Sequence, residues 1–160
     1  MSKMRLMFLL GLIVLTVGLV IATTIGIDSC ESPSVGLEGT WVLKCYGEPG
    51  KLKLPYPAIR SPTWKYCGDI TLTFGASDQI STCASVNRCS GKYEVDGNKL
   101  SIGHGWGSLP CVRWMFGPKH LMEQEWQYLD ILRFAKTYEI TNCMLIISSG
   151  KGVLVFTRKE

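Results

Sequence analysis

The sequence predicts an α+β fold that is mostly β: a strongly curved antiparallel sheet, or a partly open β-barrel, of about seven to eight strands with one α-helix packed across it. Three observations carry this. Beyond the N-terminal region only one stretch has a helical period, Lys119 to Lys136, and it holds no Gly or Pro. Short alternating runs between turn residues fill most of the rest, with Asp96-Gly97 and Ser149-Gly150-Lys151-Gly152 as clear hairpin signals. Strands joined by such short turns pair antiparallel, and no strand-helix-strand alternation runs through the chain.

From the N-terminus, Leu6 to Ile27 is a run of 22 residues without charge or Pro. At about 1.5 Å per residue, such a helix crosses a hydrocarbon layer about 30 Å thick. Lys3 and Arg5 precede it, while Asp28 and Glu31 follow. The positive-inside rule then keeps the N-terminus cytoplasmic and puts the rest on the extracytoplasmic side of the cell membrane. Two readings stay open. The length favours a retained transmembrane signal-anchor over a cleaved signal, whose apolar core is about 7–15 residues. Ile27-Asp28-Ser29-Cys30 also has the layout of a lipoprotein signal, with Cys30 as the lipidated residue. Residues 1–30 are thus an anchor or lipoprotein signal, 31–38 a short polar tether, and 39–160 the folded domain.

Thr40 to Tyr46 alternates and suits a first strand. Residues 47–68 form an insertion with Pro49, Pro55, Pro57 and Pro62, which argues against a central strand. Its Tyr56, Trp64 and Tyr66 either lie over the sheet or form a partner-binding surface. Further strands are expected at Ile70–Phe74, Gln79–Ser85, Ser90–Val95, Lys99–Ile102, Val112–Phe116, Met144–Ser148 and Val153–Thr157. Tyr93, Val95, Leu100 and Ile102 would share the inward face of one hairpin. Trp41, Phe74, Tyr93, Leu100, Leu145 and Phe156 are the bulky candidates to fill a barrel interior.

The helix follows the break at Gly117-Pro118. Leu121, Glu125, Tyr128, Leu129, Leu132 and Ala135 draw one stripe down it, apolar except for Glu125, and Ile131, Phe134 and Tyr138 widen the face. Glu123 and Glu125 sit near the N-terminal end, where the helix dipole favours negative charge. Two residues apart, they point about 200° away from each other and cannot act as paired carboxylates on one substrate. Glu125 faces the sheet, where it is expected to bond backbone or a tyrosine.

These residues carry a resemblance. Met122-Glu123-Gln124-Glu125, with Tyr128, Leu129, Leu132, Ala135 and Tyr138-Glu139-Ile140, resembles the signature of the META domain family, to which the heat-shock protein HslJ belongs. Asn87, Ser90-Gly91-Lys92-Tyr93 and Asp96-Gly97-Asn98-Lys99-Leu100 are similar to the family's preceding hairpin. Gly39-Thr40-Trp41 looks like its first strand, and Leu145, Ile147, Leu154 and Phe156 like its last hairpin. The resemblance spans roughly residues 38 to 158 and implies the same barrel-and-helix arrangement. It marks Asn87, Gly91, Tyr93, Gly97, Leu100, Glu123, Gln124, Glu125, Leu129 and Leu132 as structural signature positions, and implies an association with stress response. Many members have a cysteine where this chain has Val86, so no disulfide pairing carries over.

Seven cysteines stand at 30, 45, 67, 83, 89, 111 and 143. With Cys30 set aside, six suit three disulfides in an oxidising compartment, and many pairings are compatible with the sequence. One arrangement joins Cys45 to Cys67 across the insertion, Cys83 to Cys89 across a loop, and Cys111 to Cys143 across the helix region. Zinc binding lacks support, because no Cys-x-x-Cys occurs and His104 and His120 stand at no ligand-like spacing. No metal or other cofactor is expected.

The net charge is +4 and the basic residues are dispersed, which argues against nucleic-acid binding. Gly103-His104-Gly105-Trp106-Gly107 is glycine-rich, but a phosphate cradle needs a helix opening directly behind it. A nucleophilic site needs Ser or Cys beside an oriented base, and neither histidine lies in such a motif. A non-enzymatic role is therefore expected: a membrane-anchored envelope domain, structural or stress-related, that contacts another envelope protein. The alternative is a small cavity protein that binds an apolar ligand or lipid.

Overall fold

The computed structural model describes residues 36–57, 68–103, 109–112 and 117–159. The Leu6–Ile27 segment, Cys30, the insertion from 58 to 67 with Cys67, His104 to Gly107, and residues 113–116 lie outside the described residues. In chain order the elements are β1 (Gly39–Gly47), β2 (Thr71–Phe74), β3 (Gln79–Cys83), β4 (Arg88–Asp96), β5 (Lys99–Ile102), β6 (Cys111–Val112), α1 (Lys119–Arg133), β7 (Ala135–Thr141), β8 (Met144–Ser149) and β9 (Gly152–Arg158).

The strands run in the order β3-β2-β1-β9-β8-β7-β5-β4, and β4 pairs back onto β3, so eight antiparallel strands close a barrel. The barrel is closed where the sequence left room for a partly open one. Short β6 adds to the rim by pairing with the start of β4. Closure leaves the eight ring strands without a free edge, which removes the hazard of edge-to-edge pairing.

Alternation places one side of each strand inside. Trp41, Leu72, Phe74, Leu100, Leu145, Ile147, Leu154 and Phe156 are all buried to 2% exposure or less. These bulky side chains fill the interior, as expected for a small barrel. Phe74 and Tyr93 meet edge to face with ring centroids 4.9 Å apart. A bulge between Leu43 and Cys45 shifts the register of β1 against β9, so Leu43 and Tyr46 both point inward, opposite Phe156 and Leu154. Val95 pairs with Leu100 and so shares the face of Tyr93, Leu100 and Ile102, as expected for the hairpin, but near the end of its strand it is 44% exposed.

Two elements end differently from the sequence expectation. The helix stops at Arg133, not Lys136, and Ala135–Thr141 is the strand that pairs with β8 and contacts β5. Without that strand the barrel could not close. Phe134 caps the helix and is 52% exposed, and Tyr138 lies on β7, so of the second apolar set only Ile131 is buried on the helix. The first turn of α1 holds no acidic residue, and Glu123 and Glu125 lie beyond the reach of the N-terminal dipole.

The disulfide expectations are corrected. Cys89 bonds to Cys111 across β4 and β6, with Cα atoms 3.9 Å apart. Cys83–Cys89 and Cys111–Cys143 are therefore excluded. Cys89 pairs in register with Thr82, so Cys83 projects to the other face of the sheet. Cys45–Cys67 fails as well, because Cys45 is a buried free thiol, as is Cys83. Cys143, in the β7–β8 turn, is disulfide-bonded, with a partner outside the described residues. Among the described residues no helix is long and apolar enough to cross a membrane.

Candidate functional site

Helix α1 lies across the barrel end where β1 finishes, β9 begins and β3 turns into β4. Tyr128 and Leu132 are fully buried, and Leu121, Leu129 and Ile131 nearly so. The face they form is the stripe read from the sequence, and it seals the interior at this end.

Glu125 is set in that stripe at 7% exposure. The backbone N–H of Val86 donates to its Oε2 at 3.0 Å and that of Asn87 at 2.7 Å, while Asn87 Nδ2 donates to Oε1 at 2.6 Å. The turn that aims both amides holds Ser85 at φ 100°, a conformation non-glycine residues rarely adopt. Ala84 N–H closes the turn by donating to the Asn87 carbonyl at 2.8 Å. One carboxylate thus satisfies three donors that burial would otherwise leave unpaired, each bond to a charged group contributing about 1.5–3 kcal/mol.

Neighbouring groups extend the network on both sides. Gln124 Nε2 donates to Ser85 Oγ at 3.1 Å, and the Tyr56 N–H donates to Gln124 Oε1 at 2.6 Å, tying the proline-rich insertion to the helix. Thr82 Oγ1 donates to the Thr71 carbonyl, which commits its only proton. Tyr128 must then be the donor in its 2.7 Å bond to Thr82. Burial pushes the Tyr128 phenol well above its ordinary value, against a smaller opposing effect of that hydrogen bond.

The signature positions therefore separate. Asn87, Gln124 and Glu125 come together at the lid, and Leu129 and Leu132 pack into the core beside them. Gly91, Tyr93, Gly97 and Leu100 lie on the β4–β5 hairpin, where Gly97 takes φ 60° in the turn. Glu123 faces solvent and makes a 3.8 Å pair with Lys119, an exposed contact worth little. Sequence reasoning missed Ser85 and Thr82, which no local pattern distinguishes from other turn and strand hydroxyls.

A second feature lies on the outer side of α1. The insertion folds back on β1 through paired bonds between Tyr46 and Lys53. A groove of about 420 Å³ opens between this hairpin, the helix and the β8–β9 turn. Tyr46 and Ile131 form its floor, and Trp126, Lys51, Lys53 and Lys151 stand around it. Trp126 is 68% exposed. The His120 and Tyr56 rings meet edge to face with centroids 5.0 Å apart. Among the described residues no group of three His, Cys, Asp or Glu could hold a metal ion.

A family model of the META domain matches residues 37–160. No curated protein matches the chain. The fold is similar to an NMR structure of a protein from Burkholderia xenovorans at 20% identity and a TM-score of 0.55, covering 82% of this chain and 97% of that one. A second NMR structure matches at 21% identity and a TM-score of 0.53, covering 76% of this chain and 89% of its own. The matched range contains the whole barrel, the helix and the Asn87–Glu125 contact, and on that basis the chain belongs to the META domain family.

Proposed function

We propose that the protein is a non-enzymatic, membrane-anchored interaction domain on the extracytoplasmic side of the cell envelope, with a structural or stress-related role. The observation that carries this reading is the use made of Glu125: the one carboxylate buried at the lid accepts three hydrogen bonds from the turn beneath it. A carboxylate engaged in that way holds the helix in place, which is a structural use of the group. The anchor rests on the 22 uncharged residues from Leu6 to Ile27 and the charges around them.

The cavity alternative has less support, because bulky buried side chains occupy the barrel interior and the groove outside it is lined by three lysines and two carboxylates. Crosslinking of the full chain in native membranes tests the main reading. It should yield a discrete envelope-protein adduct; a chain that stays uncrosslinked yet copurifies with stoichiometric lipid would favour the cavity reading. Mass spectrometry of the same preparation decides the form of the anchor. A chain starting at Met1 means a transmembrane segment, a chain starting at an acylated Cys30 a lipoprotein, and a chain cleaved without acylation would overturn anchoring.

A further inference from the structure

Large exposed apolar side chains are unevenly spread. Of the five among the described residues, Trp126 lies on α1, Phe134 caps its C-terminal end, Leu54 and Tyr56 lie on the insertion beside it, and only Val95 lies elsewhere. Leu54 is 79% exposed and directly follows Lys53 of the groove. Phe134 lies under the Lys151 ammonium, 5.6 Å from its ring centroid. Trp126 and Phe134 are thus spaced along a helix of about 22 Å, and the exposed apolar side chains extend beyond the groove itself.

The charge around it has one sign in excess. Lys51, Lys53 and Lys151 line the groove against Glu48 and Asp130. Asp130 is already opposed to Lys151 at 3.9 Å. Lys136 adds a further cation near the β8–β9 turn, its Nζ 3.9 Å from where a Cβ on Gly150 would stand. Among the described residues Lys51 and Lys53 make no ion pair. An exposed tryptophan over a small apolar floor, with a charged rim, is the anatomy of an energetic centre in a protein–protein interface.

We infer that this groove docks an acidic segment of a partner protein, one apolar side chain entering beside Trp126 and its flanking carboxylates meeting Lys51 and Lys53. The inference rests on reading the chain as an interaction domain and adds which surface is used and what the partner presents. It also explains what the insertion does there, since the bond from Tyr56 to Gln124 holds the lysine-bearing arm against the helix.

The test uses the full chain in detergent micelles and a short fluorescent peptide with one Phe between Asp and Glu residues, alongside the same peptide with Lys in place of each acid. The acidic peptide should bind at least tenfold more tightly than the basic one, and less tightly as salt rises. Trp126→Ala and the pair Lys51→Gln, Lys53→Gln should each weaken binding at least tenfold while leaving the thermal midpoint unchanged, because these side chains are on the surface. Equal affinity for both peptides, or full affinity in either variant, overturns the assignment. A photocrosslinker placed at position 126 and, separately, at position 95 of the full chain in native membranes separates the two levels of argument. An adduct with an acidic protein segment at 126 supports the groove. A partner captured only at 95, or a second copy of this chain at 126, sinks the groove and spares the interaction reading. No adduct at either position counts against both.

Discussion

Glu125 is where residue type and function meet most closely in this protein. Its side chain replaces water for two backbone amides and one side-chain amide under the helix. Glu125→Ala should therefore cost about 2–4 kcal/mol in denaturant unfolding, since the donors stay buried after their acceptor is removed. A loss below about 0.5 kcal/mol, the range of ordinary surface substitutions, would contradict this account. Cys45 and Cys83 give a second check at the same scale. Both are buried thiols, and burial raises the Cys45 thiol above its ordinary value, which disfavours the nucleophilic thiolate. Neither should be alkylated by iodoacetamide at neutral pH until the protein is unfolded; rapid labelling of the native protein would show that they are not buried. The side of the helix on which Glu125 falls is legible from a 3.6-residue period. Its partners are not, because Val86 and Asn87 reach it through a turn whose geometry no periodicity encodes.

At the scale of elements, strands with turn signals were the readable part. The Asp96-Gly97 hairpin, the two C-terminal strands and the first strand follow from alternation and turn chemistry. The seventh strand was hidden. Ala135 and Tyr138 continue the helical spacing of the residues before them, so the change of period goes unnoticed, and only the need to close the barrel decides it. The disulfides were hidden for a related reason. Neighbours in sequence such as Cys83 and Cys89 lie one residue out of register across a strand pair, and one residue is the difference between the two faces of a sheet. Gly152 offers a test of how tightly the lid sits. It opens β9 at φ 149°, and a Cβ there would come within 2.6 Å of the Gly47 carbonyl oxygen and 3.1 Å of Ile131 Cδ1. Gly152→Ala should destabilise by about 2–4 kcal/mol in thermal or denaturant unfolding, since the first contact is with backbone and cannot be relieved by a rotamer change. A neutral effect would mean that the lid end is looser than described.

For the molecule as a whole, closure and filling set what it can do. Eight strands leave no free edge in the ring, and the inward side chains leave the interior to the protein itself. Among the described residues, the exposed Trp126 stands beside three lysines and two carboxylates around the groove on the outer side of the helix. The same helix therefore seals the core with one face and presents Trp126 with another. This division of labour rests on the lid being a permanent part of the fold. Native-state hydrogen exchange of the Val86 and Asn87 amides, compared between the wild-type chain and Glu125→Gln, measures that directly. In the wild type both amides should exchange only through global unfolding, at rates matching the most protected barrel strands, and in the variant they should lose that protection selectively. Fast exchange of both amides in the wild-type protein would contradict the account, because the helix would then be leaving the barrel without unfolding it.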